Sequence, residues 1–101
     1  MNGKYAWDSL DKSSPENIVA FLKRARKEEE AEDSYTVQGI MEHLLGIPRE
    51  DISGGFKKWK KEHVPLYWKI NNILDNKVDE GVLERKRLNK QGRPWIYRFI
   101  L

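Results

Sequence analysis

The last twenty residues constrain this chain most. Val82 to Leu88 reads as a strand, Asn89 to Pro94 as a polar turn containing Gly92, and Trp95 to Leu101 as a second strand, which together make a hairpin. In the second strand Trp95, Tyr97 and Phe99 alternate with Ile96, Arg98 and Ile100, so one side is able to pack on helices while the other is more exposed. Whatever precedes the hairpin has to supply that cover.

Helices are what the periodicity predicts there. Ser13 and Glu16 have capping-box spacing and Pro15 falls in a first turn, where its missing N–H costs nothing. A helix from Pro15 to about Ala31 follows, with Ile18, Val19, Phe21, Leu22 and Ala25 on one face. The acidic run Glu28 to Asp33 opposes the helix dipole and reads as a solvated end. Ser34 to Val37 suits a brief strand, and Thr36 caps a second helix to about Leu45, carrying Ile40, Met41, Leu44 and Leu45. Gly46 and Pro48 stop it. A short helix is expected between Ile47 and Val64, where Ser53-Gly54-Gly55 is a breaker and the basic Phe56 to Lys61 run has aromatics at helical spacing. Pro65 opens a third helix to about Glu80, with Leu66, Tyr67, Ile70, Ile73, Leu74 and Val78 inward, and Gly81 ends it.

These elements fit one domain, since 101 residues with 39% hydrophobic side chains make one core and are too few for two. Residues 1–13 read as an N-terminal arm and 14–101 as the domain. The fold class is α+β, mainly α: three or four helices with a C-terminal two-stranded hairpin. Without cysteine there is neither a disulfide nor a cysteine-ligated metal, and packing and caps must hold the fold. No apolar stretch is long enough for a membrane span and the first ten residues lack a signal-peptide core, so a soluble cytoplasmic protein is expected.

Charge is divided unevenly. Met1 to Phe56 holds 7 basic and 11 acidic residues, whereas Lys57 to Leu101 holds 12 basic and 5 acidic, a net −4 against +7. A basic half on a folded domain is the footprint expected for a phosphate backbone, because each Lys or Arg near a phosphate releases condensed counterions.

The order helix, short strand, helix, helix, hairpin resembles the winged helix-turn-helix superfamily. Three stretches carry the resemblance: Tyr35-Thr36-Val37-Gln38-Gly39-Ile40, then Ile73 to Arg85 (ILDNKVDEGVLER), and Gly92-Arg93-Pro94-Trp95-Ile96-Tyr97-Arg98-Phe99. The last two look like the recognition helix and wing of many prokaryotic transcription regulators. The resemblance covers roughly Ser14 to Leu101 and implies sequence-specific binding of double-stranded DNA, with helix 65–80 in the major groove and wing 83–99 on the backbone or in the minor groove. It also implies a homodimer on two half-sites, for which the arm with Tyr5, Trp7 and Leu10 is a candidate. In that superfamily a tight turn joins the second and third helices, whereas this chain has Gly46 to Val64 there, and Lys77 stands where Leu is common.

On such a helix the face opposite Ile70 and Ile73 holds Trp68, Lys69, Asn72, Asp75 and Asn76, with Asn71 at its margin. Trp68, Lys69, Asn72 and Asn76 are the candidate base readers: Asn pairs bidentately with adenine, and Lys reaches guanine acceptors or a phosphate. The bland alternative is a solvated helix face. An exposed Trp68 also suits packing on the Phe56 to Trp59 segment. Arg85, Lys86, Arg87, Lys90 and Arg93 on the wing are candidates for the DNA backbone, or serve to blunt edge strands. Lys57, Lys58, Lys60 and Lys61 either extend the phosphate footprint or form a solvated face.

An enzyme is not expected. There is no cysteine nucleophile and no glycine-rich phosphate loop, the histidines His43 and His63 are isolated, and the carboxylates show no recognisable pairing. No catalytic residue, metal, cofactor or small-molecule substrate is implied. The competing function is a winged-helix module for protein–protein contact, fed by Trp7, Trp59, Trp68 and Trp95. It predicts an exposed apolar patch, whereas DNA binding predicts that Lys69, Arg85, Arg87, Lys90 and Arg93 share one face.

Overall fold

A computed structural model describes residues 13–28, 33–87 and 95–100. Within them the chain is an α+β protein, mainly helical, with three α-helices and one three-stranded antiparallel sheet. Helix α1 is Pro15–Lys27, strand β1 is Ser34–Tyr35, helix α2 is Val37–His43, and helix α3 is His63–Asp79. Strands β2 (Leu83–Arg87) and β3 (Trp95–Phe99) form the hairpin. None of the described helices is long and apolar enough to cross a membrane.

Side-chain caps decide where α1 and α2 begin. Ser14, not Ser13, is the N-cap of α1: its side chain accepts from the Asn17 N–H at 3.2 Å, which puts Pro15 at the first helical position with its φ already suited to a helix. Ser13 is instead fully buried. Thr36 caps α2 as expected, accepting from the Gly39 N–H at 3.0 Å. Helix α2 ends two residues short of Leu45, and Gly46 with φ 71° reverses the chain in the left-handed region that a side chain disfavours. Helix α3 starts two residues before Pro65; a proline in the first turn removes an N–H that has no intrahelical acceptor anyway. The expected short helix between 47 and 64 is two 3-10 turns, Arg49–Asp51 and Phe56–Lys58, separated by Gly54 and Gly55 with φ of 81° and 93°. Two consecutive left-handed residues cannot be part of a right-handed helix.

The hairpin is two strands of a three-stranded sheet of order β1-β3-β2. Its register pairs Leu83 with Phe99, Arg85 with Tyr97 and Arg87 with Trp95, while β1 pairs Ser34 with Arg98 and Tyr35 with Tyr97. Tyr35, Leu83, Tyr97 and Phe99 therefore share the face that meets the helices. There they join Ile18, Leu22, Ile40, Met41, Ile70 and Leu74 in one core, six side chains with no exposed surface. Complete burial of such a side chain contributes roughly 1.5–3 kcal/mol. Leu45, Ile47, Ile52 and Trp59 continue the core under the connection between α2 and α3, so that segment is built into the domain.

Candidate nucleic-acid interface

Helix α3 shows water a ridge of Pro65, Trp68, Lys69, Asn72, Asn76 and Asp79, all exposed, while Ile70 and Leu74 are buried on the opposite side. At 100° per residue the half-buried Asn71 and Asp75 lie on one flank of this ridge, and Lys69 closes the other. Each flank is tied to a different neighbour.

The tie on the first flank is Asp75. Its Oδ1 accepts from the Tyr97 hydroxyl at 2.8 Å and from Arg85 Nη1 at 2.6 Å, and Asn71 Nδ2 lies 3.5 Å from Oδ2. One carboxylate thus joins the last turns of α3 to both hairpin strands. Burial raises the Tyr97 hydroxyl pKa above its usual value and the bond to Asp75 raises it further, so Tyr97 stays a donor. Arg85 also lies over the Trp95 ring, 4.6 Å from its centroid, with Arg87 over the same ring at 5.1 Å. Cross-strand register puts all three on one face, so the guanidiniums are held in place by an aromatic surface.

Lys69 is the tie on the second flank. Its Nζ donates to Ser13 Oγ at 2.9 Å, linking α3 to the start of α1. Asn72 and Asn76, between the flanks, have no side-chain partner among the described residues.

Trp68 stands 49% exposed at the N-terminal end of the ridge and meets Phe56, 42% exposed, with ring centroids 5.8 Å apart. Phe56 in turn packs on Trp59 at 4.6 Å and on Tyr67 at 5.1 Å. The sequence expectation that Trp68 meets the Phe56 to Trp59 segment holds. Around this cluster Lys57, Lys58, Lys60 and Lys61 are all exposed, and only Lys60 has an acidic partner among the described residues, Asp51 at 3.5 Å. On the hairpin Lys86 and Arg87 are exposed with no acidic partner among the described residues, whereas Arg85 is offset by Asp75. Lys90 and Arg93, and the arm with Tyr5, Trp7 and Leu10, lie outside the described residues.

On the outer face of the sheet Arg98 pairs with Glu84 and reaches Asp33, which also holds Arg26 at 2.9 Å. Asp33, Glu84 and Arg98 line a groove of about 260 Å³ together with Arg85 and Lys86. Comparison of the chain with family models, with curated proteins and with solved structures found no match.

The sequence reading missed the joint role of Asp75 and Tyr97. A faint signal was available: an inward tyrosine on a strand needs a partner for its hydroxyl, and α3 is the helix that leads directly into the hairpin. Ser13 was misassigned because two adjacent serines both fit a cap, and only the helix start distinguishes them.

Proposed function

We propose that this chain is a winged helix-turn-helix protein that binds double-stranded DNA in a sequence-specific manner, as transcription regulators do. Helix α3 enters the major groove with Lys69, Asn72 and Asn76 toward base edges, and the β2–β3 hairpin lies on the backbone or in the minor groove through Lys86, Arg87, Lys90 and Arg93. Arg85, stacked on Trp95 and bonded to Asp75, aims the hairpin. The observation that carries this reading is the pair of amides, Asn72 and Asn76, without a side-chain partner among the described residues, on a helix ridge whose flank is fixed by Asp75 to a hairpin where Lys86 and Arg87 have no acidic partner among those residues. A rigid relation between reading helix and phosphate clamp is what a base-specific site needs. For Lys69, base contact means exchanging its bond to Ser13 for one to DNA. A homodimer on two half-sites belongs to the same proposal.

The protein-contact reading draws on Phe56 and Trp68, two adjoining aromatics left half in water. Lysines border that patch, which favours an anionic partner over an apolar one.

The test is a salt series on mixed duplex DNA, with a Lys86, Arg87, Lys90 and Arg93 to Ala variant checked for fold by circular dichroism. Affinity is expected to fall steeply with salt, and the variant's log–log slope to be shallower by about 3 to 4. A folded wild type that fails to bind at low salt defeats the proposal.

A further inference from the structure

The amides of α3 and the hairpin leave unused the surface where the segment from Phe56 to Lys61 meets Trp68. Two of the three large hydrophobic side chains exposed among the described residues, Phe56 and Trp68, meet here. Trp59 and Tyr67 support them from below: Tyr67 is 5.1 Å from both Phe56 and Trp68, and Trp59 is 5.8 Å from Tyr67. The platform is thus braced by a buried tryptophan, Trp59 at 7% exposure, while the upper rings remain open to water. Between residues 56 and 63 the chain carries four lysines and one glutamate.

We infer that Phe56 and Trp68 form a stacking platform for unpaired bases, with Lys57, Lys58 and Lys61 on the phosphates of the same strand. Exposed aromatic side chains, here two rings inclined at 51°, and a cationic border are the two features by which proteins hold single-stranded DNA without reading its sequence. An acidic peptide would satisfy the lysines and leave the ring faces without a flat partner. An apolar protein face would cover the rings and strip water from the lysines without returning a charge. The single strand satisfies both.

Position adds to this. Trp68 precedes Asn72 by one turn, about 6 Å along α3, so the platform adjoins the amide ridge. A duplex on Asn72, Asn76 and the hairpin would present an unpaired tail to Trp68. This deepens the duplex reading and rests on it only for that half; the platform itself does not require it. The preferred ligand is then a duplex with a single-stranded extension.

Three labelled probes measured by fluorescence anisotropy at low salt separate the two sites: an oligothymidylate of about 15 nucleotides, a blunt duplex, and the same duplex with a thymidine tail. The full-length chain is expected to bind the oligothymidylate, and to bind the tailed duplex at least about fivefold tighter than the blunt one. Phe56→Leu with Trp68→Leu keeps apolar bulk and removes the flat faces. It should weaken oligothymidylate binding at least about fivefold and abolish the advantage of the tail, while Phe56→Leu alone, which touches no group assigned to the duplex, should weaken oligothymidylate binding and leave blunt-duplex affinity within about twofold. Substituting Lys57, Lys58 and Lys61 by Ala should reduce the oligothymidylate salt slope by about 2. The inference is overturned if the wild type ignores oligothymidylate, or if the double leucine variant binds it as well as the wild type. Failure of the blunt duplex alone removes the duplex reading and leaves the platform standing.

Discussion

The two ends of α3 are held by different physics. Its C-terminal half is fixed by directional bonds, Tyr97 and Arg85 to one oxygen of Asp75. Its N-terminal half sits in a nest of rings, with Phe56, Trp59, Tyr67 and Trp68 meeting edge to face or tilted. Hydrogen bonds to a carboxylate weaken steeply with angle and so fix the orientation of a helix relative to a sheet. Aromatic packing supplies more burial energy yet tolerates small rotations. One end sets geometry and the other supplies much of the stabilisation of the connection.

If that division is right, the largest effect belongs to the aromatic end. Trp59→Ala removes a ring that is 7% exposed and leaves a cavity beneath Phe56, so a loss of about 3–5 kcal/mol is expected in urea unfolding. A loss below about 1 kcal/mol would mean the connection is not part of the core. Asp75→Ala should cost less, about 1–2 kcal/mol, because Arg85 can return to water while the Tyr97 hydroxyl is left without its acceptor. Its signature is in function: duplex affinity should drop in spite of the removal of a negative charge from the interface. Tighter duplex binding by Asp75→Ala would show that repulsion, and not positioning, is what Asp75 contributes.

The smallest expected effect is also the sharpest. Tyr97→Phe should lower stability by about 1 kcal/mol near neutral pH. The folded Tyr97 pKa is raised above the usual value near 10 by burial first and Asp75 second, so the proton is retained in the folded chain. The stability it provides is complete below pH 10 and is lost as pH climbs from there toward the folded value. In melting experiments between about pH 9 and 11 the wild type should therefore lose stability more steeply than Tyr97→Phe. Parallel curves would indicate that Tyr97 titrates alike in the folded and unfolded chains.

Much of the frame was legible because it rests on local chemistry. Thr36 as a cap, Gly46 and Gly81 as left-handed stops at φ 71° and 80°, and the alternation of Trp95, Tyr97 and Phe99 all act within a few residues of themselves. The bonds between elements were not legible. Nothing in spacing says that Lys69 reaches Ser13, 56 residues away, or that Asp75 and Tyr97 meet across 22. Between Ile47 and Val64 the helical spacing of the aromatics predicts one short helix, and those aromatics do converge. They converge by two tight turns about a glycine pair, which periodicity cannot distinguish from a helix. Of the candidate site, the ridge on α3 was legible as the face opposite Ile70. Which of its side chains are tied and which are free depends on the tertiary fold.

The place of β3 in the sheet has a kinetic consequence. It lies between β1 and β2, which do not pair with each other, so neither has a sheet partner until Trp95–Phe99 arrives. Pairing Ser34 with Arg98 closes a loop of more than sixty residues, an entropy cost that must be met before the pairing returns any energy. During synthesis, α1, α2 and α3 can form and gather in advance, but Tyr97, the largest fully buried side chain of the core, enters among the last. For that interval the growing chain presents the side of α1 that β3 packs on without its strand, and its exposure to misassociation ends when β3 docks.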